Sequence, residues 1–208
     1  MMVSALIERE IAGPDFPVRG GVFVAVVGPS GAGKDTIIDF ARAALGVDGD
    51  VDFVRRVVTR PSDASTEDHD SLTDADFDVA EAAGAFALSW AAHGLKYGLP
   101  SSVDQTIAHG RVAVANLSRG ALPALRLRYT DIAVIEITAD REVLAERLSA
   151  RGRESRGDVL ARLARAAEID RAADVITLDN SGAPEIAGEK FVAILRKAIA
   201  HADLGGMV

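Results

Sequence analysis

The sequence predicts an α/β fold, a parallel sheet with helices on both faces, built around a P-loop core. Two observations carry this. Apolar runs alternate with segments of helical periodicity along most of the chain. The first run, Val22-Phe23-Val24-Ala25-Val26-Val27, leads directly into Gly28-Pro29-Ser30-Gly31-Ala32-Gly33-Lys34 and then into a helical pattern. Strands that alternate with helices pair in parallel, are covered on both faces, and leave ligands at the carboxyl ends of the strands.

Continuous apolar runs place strands at 22–27, 53–58, 86–90, 112–115, 132–137 and 175–178. Period-3.6 patterns place helices at 36–45, 74–83, 102–109, 119–129, 141–150, 158–173 and 185–202. Two polar segments, 61–70 and 151–158, interrupt the alternation. Polar loops above such a core are where acceptor-binding elements and lids sit.

The chain has 208 residues, 49% of them hydrophobic, enough to bury the core of one domain, expected over 21–205. A net charge of −8 argues against a nucleic-acid-binding surface, whose footprint is basic. With no cysteine there is no disulfide framework, thiol nucleophile or Cys-based metal site, which fits a reducing cytoplasm. No apolar run approaches a membrane span. Residues 1–20 carry acidic charges with Pro14 and Pro17 and read as a short leader, not as a signal-peptide core.

A strand, a glycine loop ending in lysine and then a helix cradle phosphate with backbone N–H groups and the positive helix N-terminus. The backbone of Gly28, Pro29, Ser30, Gly31, Ala32 and Gly33, together with Lys34, is therefore expected to hold a nucleoside triphosphate. The residue after the lysine is normally Ser or Thr, whose hydroxyl binds Mg²⁺; here it is Asp35, followed by Thr36. Asp35 either binds the metal directly or through water, or only favours the helix N-terminus while Thr36 serves as ligand.

Arginine placement adds a second layer, because moving a phosphoryl group between two anions needs positioning and charge neutralisation more than a covalent nucleophile. Arg55, Arg56 and Arg60 cluster at the end of the second expected strand, with pairing to Asp63, Glu67, Asp68 and Asp70 as the alternative. Arg147, Arg151, Arg153, Arg156, Arg162 and Arg165 form a second group. Planar guanidinium donors suit phosphate oxygens, although spacings of four also make ordinary helix-surface ion pairs.

The P-loop, Thr59-Arg60-Pro61, Gly84-Ala85-Phe86, His93-Gly94-Leu95-Lys96-Tyr97-Gly98 and Arg151-Gly152-Arg153-Glu154 occur in the order seen in guanylate kinase-like proteins, which the chain resembles over about 22–180. Gly33-Lys34-Asp35, Phe86-Ala87-Leu88-Ser89-Trp90, Ala92-His93-Gly94-Leu95, Tyr97-Gly98-Leu99-Pro100 and Asn116-Leu117-Ser118-Arg119 are similar to the branch that phosphorylates ribose 1,5-bisphosphate in bacterial phosphonate breakdown. Guanylate kinases carry an acidic pair that reads guanine; its positions align with Ala115 and Leu117, and their second acceptor-loop arginine aligns with Asp63. A buried site without those carboxylates loses hydrogen bonds to guanine, each about 1–3 kcal/mol.

The resemblance implies an acceptor-binding region over about 53–100, a lid over about 147–160, and MgATP as donor. It implies that Lys34, Arg60, Arg147 and Arg151 stabilise the transferred phosphoryl group, that Arg153 closes over ATP, and that Asn180 lies near adenine. Arg56, Arg60, Glu67, Tyr97, Asn116, Ser118 and Arg119 are the implied acceptor contacts, with His69 beside Glu67 in the acceptor loop. Trp90 reads as core and His93 as a turn residue. The partners implied are a small sugar phosphate, no nucleic acid and no membrane, with the chain a monomer or homodimer.

Overall fold

A computed structural model describes residues 17–46, 49–60, 69–150 and 175–205. The P-loop strand is β1 (Val22–Val27), and every one of its residues is buried. It lies at the centre of a five-stranded parallel sheet with β2 (Val51–Phe53), β7 (Val112–Asn116), β8 (Ile132–Thr138) and β9 (Val175–Asp179) in the order β2-β7-β1-β8-β9. All pairings are parallel.

Successive side chains of a strand point to opposite faces, so β1 feeds two cores. Val22, Val24 and Val26 pack with Ile37 and Ala41 of α1 (Lys34–Leu45) and with Phe191 and Leu195 of α6 (Pro184–Gly205). Phe23, Ala25 and Val27 pack with Val103 and Ile107 of α3 (Ser102–Ala108) and with Leu122 and Leu125 of α4 (Leu122–Arg128). The helix expected at 119–129 opens as a 3-10 turn at Arg119–Ala121 before becoming α4. The remaining helices are α2 (Asp74–Ala82), capped by the Thr73 hydroxyl accepting from Asp76 N–H, and α5 (Arg141–Ala150). The helix expected at 158–173 lies outside the described residues.

The strand expected at 53–58 is two strands in two sheets. Val54 N–H donates to the Val114 carbonyl at 2.8 Å, holding the chain to the main sheet, and Arg55 then turns away. β3 (Arg56–Val58) pairs in parallel with β4 (His69–Ser71) and antiparallel with β6 (Leu95–Pro100), which pairs with β5 (Phe86–Ala92). The second sheet runs β4-β3-β6-β5. An apolar run carries no mark of such a switch, since both halves bury side chains.

β5 and β6 are joined by His93 (φ 53°) and Gly94 (φ 74°) between the paired Ala92 and Leu95. Two consecutive left-handed residues make the type of two-residue turn whose twist matches the strands. His93 is thus an exposed turn residue. His69, expected in the acceptor loop, is a buried strand residue, 2% exposed. The chain is also docked earlier than residue 21: Val18 is buried and bridges Tyr129, its N–H donating to the Arg128 carbonyl at 2.7 Å.

α3 is tied to the end of α4 by one buried carboxylate. Asp104 accepts from Arg128 Nε at 2.9 Å and Nη2 at 2.5 Å, and from the Tyr129 hydroxyl at 2.9 Å. Burial, followed by the Asp104 charge, pushes the Tyr129 phenol far above its ordinary range, so it remains a donor. Removing one partner of a buried charge pair strands the other, so Asp104→Ala is expected to lower unfolding free energy by about 3 kcal/mol, measured by denaturant titration. A loss under about 1 kcal/mol would show that Arg128 is satisfied by water instead.

Candidate active site

At the carboxyl end of β1 the chain turns through Gly28, at φ 147°, where a Cβ would lie 2.2 Å from the Ile137 carbonyl oxygen. Gly33, at φ 86°, opens α1, and a Cβ there would meet Asn180 Nδ2 at 2.5 Å. Both positions exclude a side chain by conformation and by space. Lys34 folds over the loop, its Nζ donating to the carbonyls of Gly28 at 3.1 Å and Pro29 at 3.0 Å. Ala32 N–H donates to the Pro29 carbonyl at 3.3 Å, while Ser30 is exposed.

Asn180, 2% exposed, closes the back of the loop. Its Nδ2 donates to the Ala32 carbonyl at 2.8 Å, its N–H to the Thr138 carbonyl at 2.7 Å, and its own carbonyl accepts from Arg147 Nη2 at 3.0 Å. Arg147 therefore sits on α5, fixed against the strand end by Asn180, where the sequence reading had it close from a lid. Arg147 Nη1 and Asn180 Oδ1 are buried with no partner among the described residues. An unpartnered guanidinium N–H beside a glycine loop fits an anion such as phosphate.

On the metal side, Asp35 is half-buried in the first turn of α1, and one carboxylate oxygen accepts from Asn116 Nδ2 at 2.8 Å. Thr36 is exposed. No group of three His, Cys, Asp or Glu suited to a metal occurs among the described residues. One carboxylate completed by water and phosphate oxygens is the donor set Mg²⁺ accepts, so Asp35 fits that role.

The acceptor side starts where β7 ends. Asn116 was expected to touch the acceptor, but its amide nitrogen goes to Asp35. Arg119 was expected there too; its Nη2 donates at 2.9 Å to Glu136, a carboxylate 6% exposed on β8. A buried carboxylate needs a cation, and Arg119 supplies it. Arg119 Nε remains buried with no partner among the described residues. Ser118 Oγ accepts from Trp90 Nε1 at 2.9 Å. The Trp90 ring stacks on Tyr97 with centroids 5.4 Å apart and planes 8° apart, and the guanidinium of Arg56 lies 5.9 Å from the Tyr97 ring centre. Arg56 is itself buried, 8% exposed. Arg55 is exposed and pairs with Asp70 at 3.3 Å. Arg60 is half-buried behind Thr59, whose N–H donates to the Lys96 carbonyl at 3.0 Å and whose hydroxyl accepts from Lys96 N–H at 3.0 Å.

A line of contacts thus runs from Asp35 through Asn116 and the end of β7 to Ser118, Trp90, Tyr97 and Arg56. It brings Lys34, Asp35, Asn116, Ser118, Tyr97 and Arg56 to one edge. Glu67, Arg151 and Arg153 lie outside the described residues. Glu136 was missed by sequence reasoning, although a lone glutamate inside the run Ile132-Ala133-Val134-Ile135-Glu136-Ile137 is itself a signal. Trp90, read as core, is joined to two of the expected contacts.

The AAA domain family profile matches residues 24–171. The ribose 1,5-bisphosphate phosphokinase PhnN of Chelativorans sp. (strain BNC1) is 51% identical over 210 aligned residues, covering 100% of both chains. The chain belongs to the ribose 1,5-bisphosphate phosphokinase family. The family member of Brucella melitensis biotype 2 (strain ATCC 23457) is 57% identical over 163 residues, 78% of this chain and 85% of that protein. Guanylate kinase from Anaplasma phagocytophilum superposes with a TM-score of 0.59 at 16% identity, covering 85% of each chain, and so shares the fold of this family.

Gly33→Ala tests the loop geometry. The added methyl forces Asn180 away from Ala32 in a conformation that L-residues resist, so nucleotide affinity is expected to fall at least ~10-fold, of order 1.4 kcal/mol or more. Fluorescent-nucleotide titration measures this. Unchanged affinity would mean that the loop tolerates a shift at Asn180.

Proposed function

We propose that this protein transfers the γ-phosphoryl group of ATP to ribose 1,5-bisphosphate, forming 5-phosphoribosyl 1-diphosphate. The observation that carries the reading is the unbroken line from the P-loop to Arg56: amide, hydroxyl, phenol and guanidinium groups follow β7, and buried apolar Ala115 and Leu117 stand where a guanine site needs carboxylates. The name carried by the family's curated members supports the same acceptor.

An oxygen of the acceptor's C1 phosphate attacks the γ-phosphorus in line, the bond from that phosphorus to the β,γ-bridging oxygen breaks, and ADP leaves. The acceptor phosphate is already anionic, so no general base is required. Lys34 exchanges the loop carbonyls for β and γ phosphate oxygens, and Arg147 offers Nη1, which lies beside Gly33. Asp35 would hold Mg²⁺, which would supply neutralisation of phosphate charge. Asn116 holds one Asp35 oxygen and leaves the other for the ion. Arg56, Arg60 and Tyr97 fix the acceptor's phosphates, Ser118 donates to it, and Arg119 adds Nε while Glu136 balances its charge. Glu67, Arg151 and Arg153 belong to the same reading as contacts from the acceptor loop and the lid.

A coupled ADP-release assay with ribose 1,5-bisphosphate and GMP tests the acceptor. The sugar is expected to exceed GMP in kcat/KM by at least ~30-fold, the size of two missing guanine hydrogen bonds at about 1 kcal/mol each. Efficient GMP phosphorylation without sugar conversion would make the protein a guanylate kinase instead.

For the metal, Asp35→Asn is expected to raise the Mg²⁺ concentration needed for half-maximal rate at least ~10-fold, while the exposed Thr36→Val changes it less than ~2-fold. The reverse ranking would assign the hydroxyl as ligand and leave Asp35 as a helix-terminus charge.

A further inference from the structure

We propose that Trp90 is a positioning residue of the acceptor site: it sets the hydrogen-bond polarity of Ser118 and the plane of Tyr97. This rests on the acceptor reading above. A buried tryptophan N–H ordinarily finds a hydrogen-bond partner, so the identity of that partner carries the information. Trp90 is half-buried against the second core, and its N–H goes to a residue expected at the acceptor, 2.9 Å from Ser118 Oγ.

The consequence follows from donor counting. An indole only donates, whereas a serine hydroxyl has one proton and two acceptor positions. Once Oγ accepts from Trp90, the hydroxyl has its proton left to give, and a phosphate or sugar oxygen is the group that takes one. Without Trp90 the hydroxyl rotates between donor and acceptor roles, and the ligand must select one. The Ser118 carbonyl is already occupied by Ala121 N–H at 2.9 Å, so the backbone around the hydroxyl is fixed and only its rotor remains to be set.

The same indole fixes the second group. Tyr97 lies 8° from coplanar with it, so the phenol cannot swing about its Cβ–Cγ bond without breaking the stack. Trp90 stands on β5 of the four-stranded sheet and Ser118 follows β7 of the five-stranded sheet, so the one side chain places an acceptor donor from each sheet in a common frame. Ordering these donors before binding removes a cost that would otherwise weaken affinity.

The test uses the full chain and a thermodynamic cycle. Trp90→Phe keeps an aromatic plane against Tyr97 and removes the N–H. It is expected to raise KM for ribose 1,5-bisphosphate about 3–10-fold, the range of one net hydrogen bond, with kcat within about 2-fold and KM for ATP unchanged. Ser118→Ala should raise the sugar KM similarly, and the double variant should be no worse than Ser118→Ala alone, because both remove the same interaction. Trp90 is the only tryptophan of the 208 residues, so its emission gives a readout independent of turnover and of any variant folding. Ribose 1,5-bisphosphate should change that emission in the unmodified protein, and ADP alone should not. Additive effects in the cycle, equal changes in both KM values, or an emission blind to the sugar would each overturn the positioning role. No turnover of the sugar by the unmodified protein would instead remove the acceptor reading, and this proposal with it.

Discussion

A strand with no exposed face governs the rest of this molecule. β1 is buried along its whole length, between β7 and β8 in the sheet and between helices α1 and α6 on one side and α3 and α4 on the other. Its last residue therefore has one place to be. The glycine loop inherits that fixity, since Gly28 cannot leave the Ile137 carbonyl without pulling Val27 out of the second core. Close packing gives such a strand little room to yield, so the phosphate cradle is set by the core and only trimmed by the loop.

Charge at the site is arranged by the same economy of space. Arg119 and Glu136 neutralise each other beside the end of β7, and Asp104, in the first turn of α3, does the same for Arg128. Buried pairs of this kind add little net stability against a good apolar packing, but they fix direction. Because Glu136 holds Nη2, the Arg119 plane is set and its Nε faces one way. Arg147 is treated likewise, by a backbone carbonyl in place of a carboxylate. Each guanidinium thus has one edge anchored, while Arg119 Nε and Arg147 Nη1 have no partner among the described residues.

The parts of this protein that sequence could show are those written in consecutive residues. The strand, glycine loop and helix of 22–45 are local, as are the runs that became β7, β8 and β9, and all were legible. The switch of sheets at Val54–Arg56 was not, because its cause is the Val54 bond to Val114, sixty residues on. β6 was hidden for a related reason: His93 read as a turn residue, but the strand after it carries Lys96 and Gly98 among its apolar residues and shows itself as a hairpin partner only through its pairing with β5. At the site, residue types were legible and their partners were not. Asn116 turned to the half-buried Asp35, Arg119 to the buried Glu136 and Asn180 to the buried Ala32, partners that lie far away in sequence.

The end of β7 also acts as a ruler. Asn116 reaches Asp35 beside the glycine loop and Ser118 accepts from Trp90 of the second sheet, with Leu117 between them buried in the second core. Extended backbone advances about 3.3 Å per residue, so the two contacts are held about 6.6 Å apart along a line that cannot stretch. A single inserted or deleted residue there would turn Ser118 into the core and Leu117 out of it. A loop of the same length could shift gradually, whereas this spacing changes only in steps that exchange the buried and outward-facing residues, so it is set by the strand and its core and not by a loop.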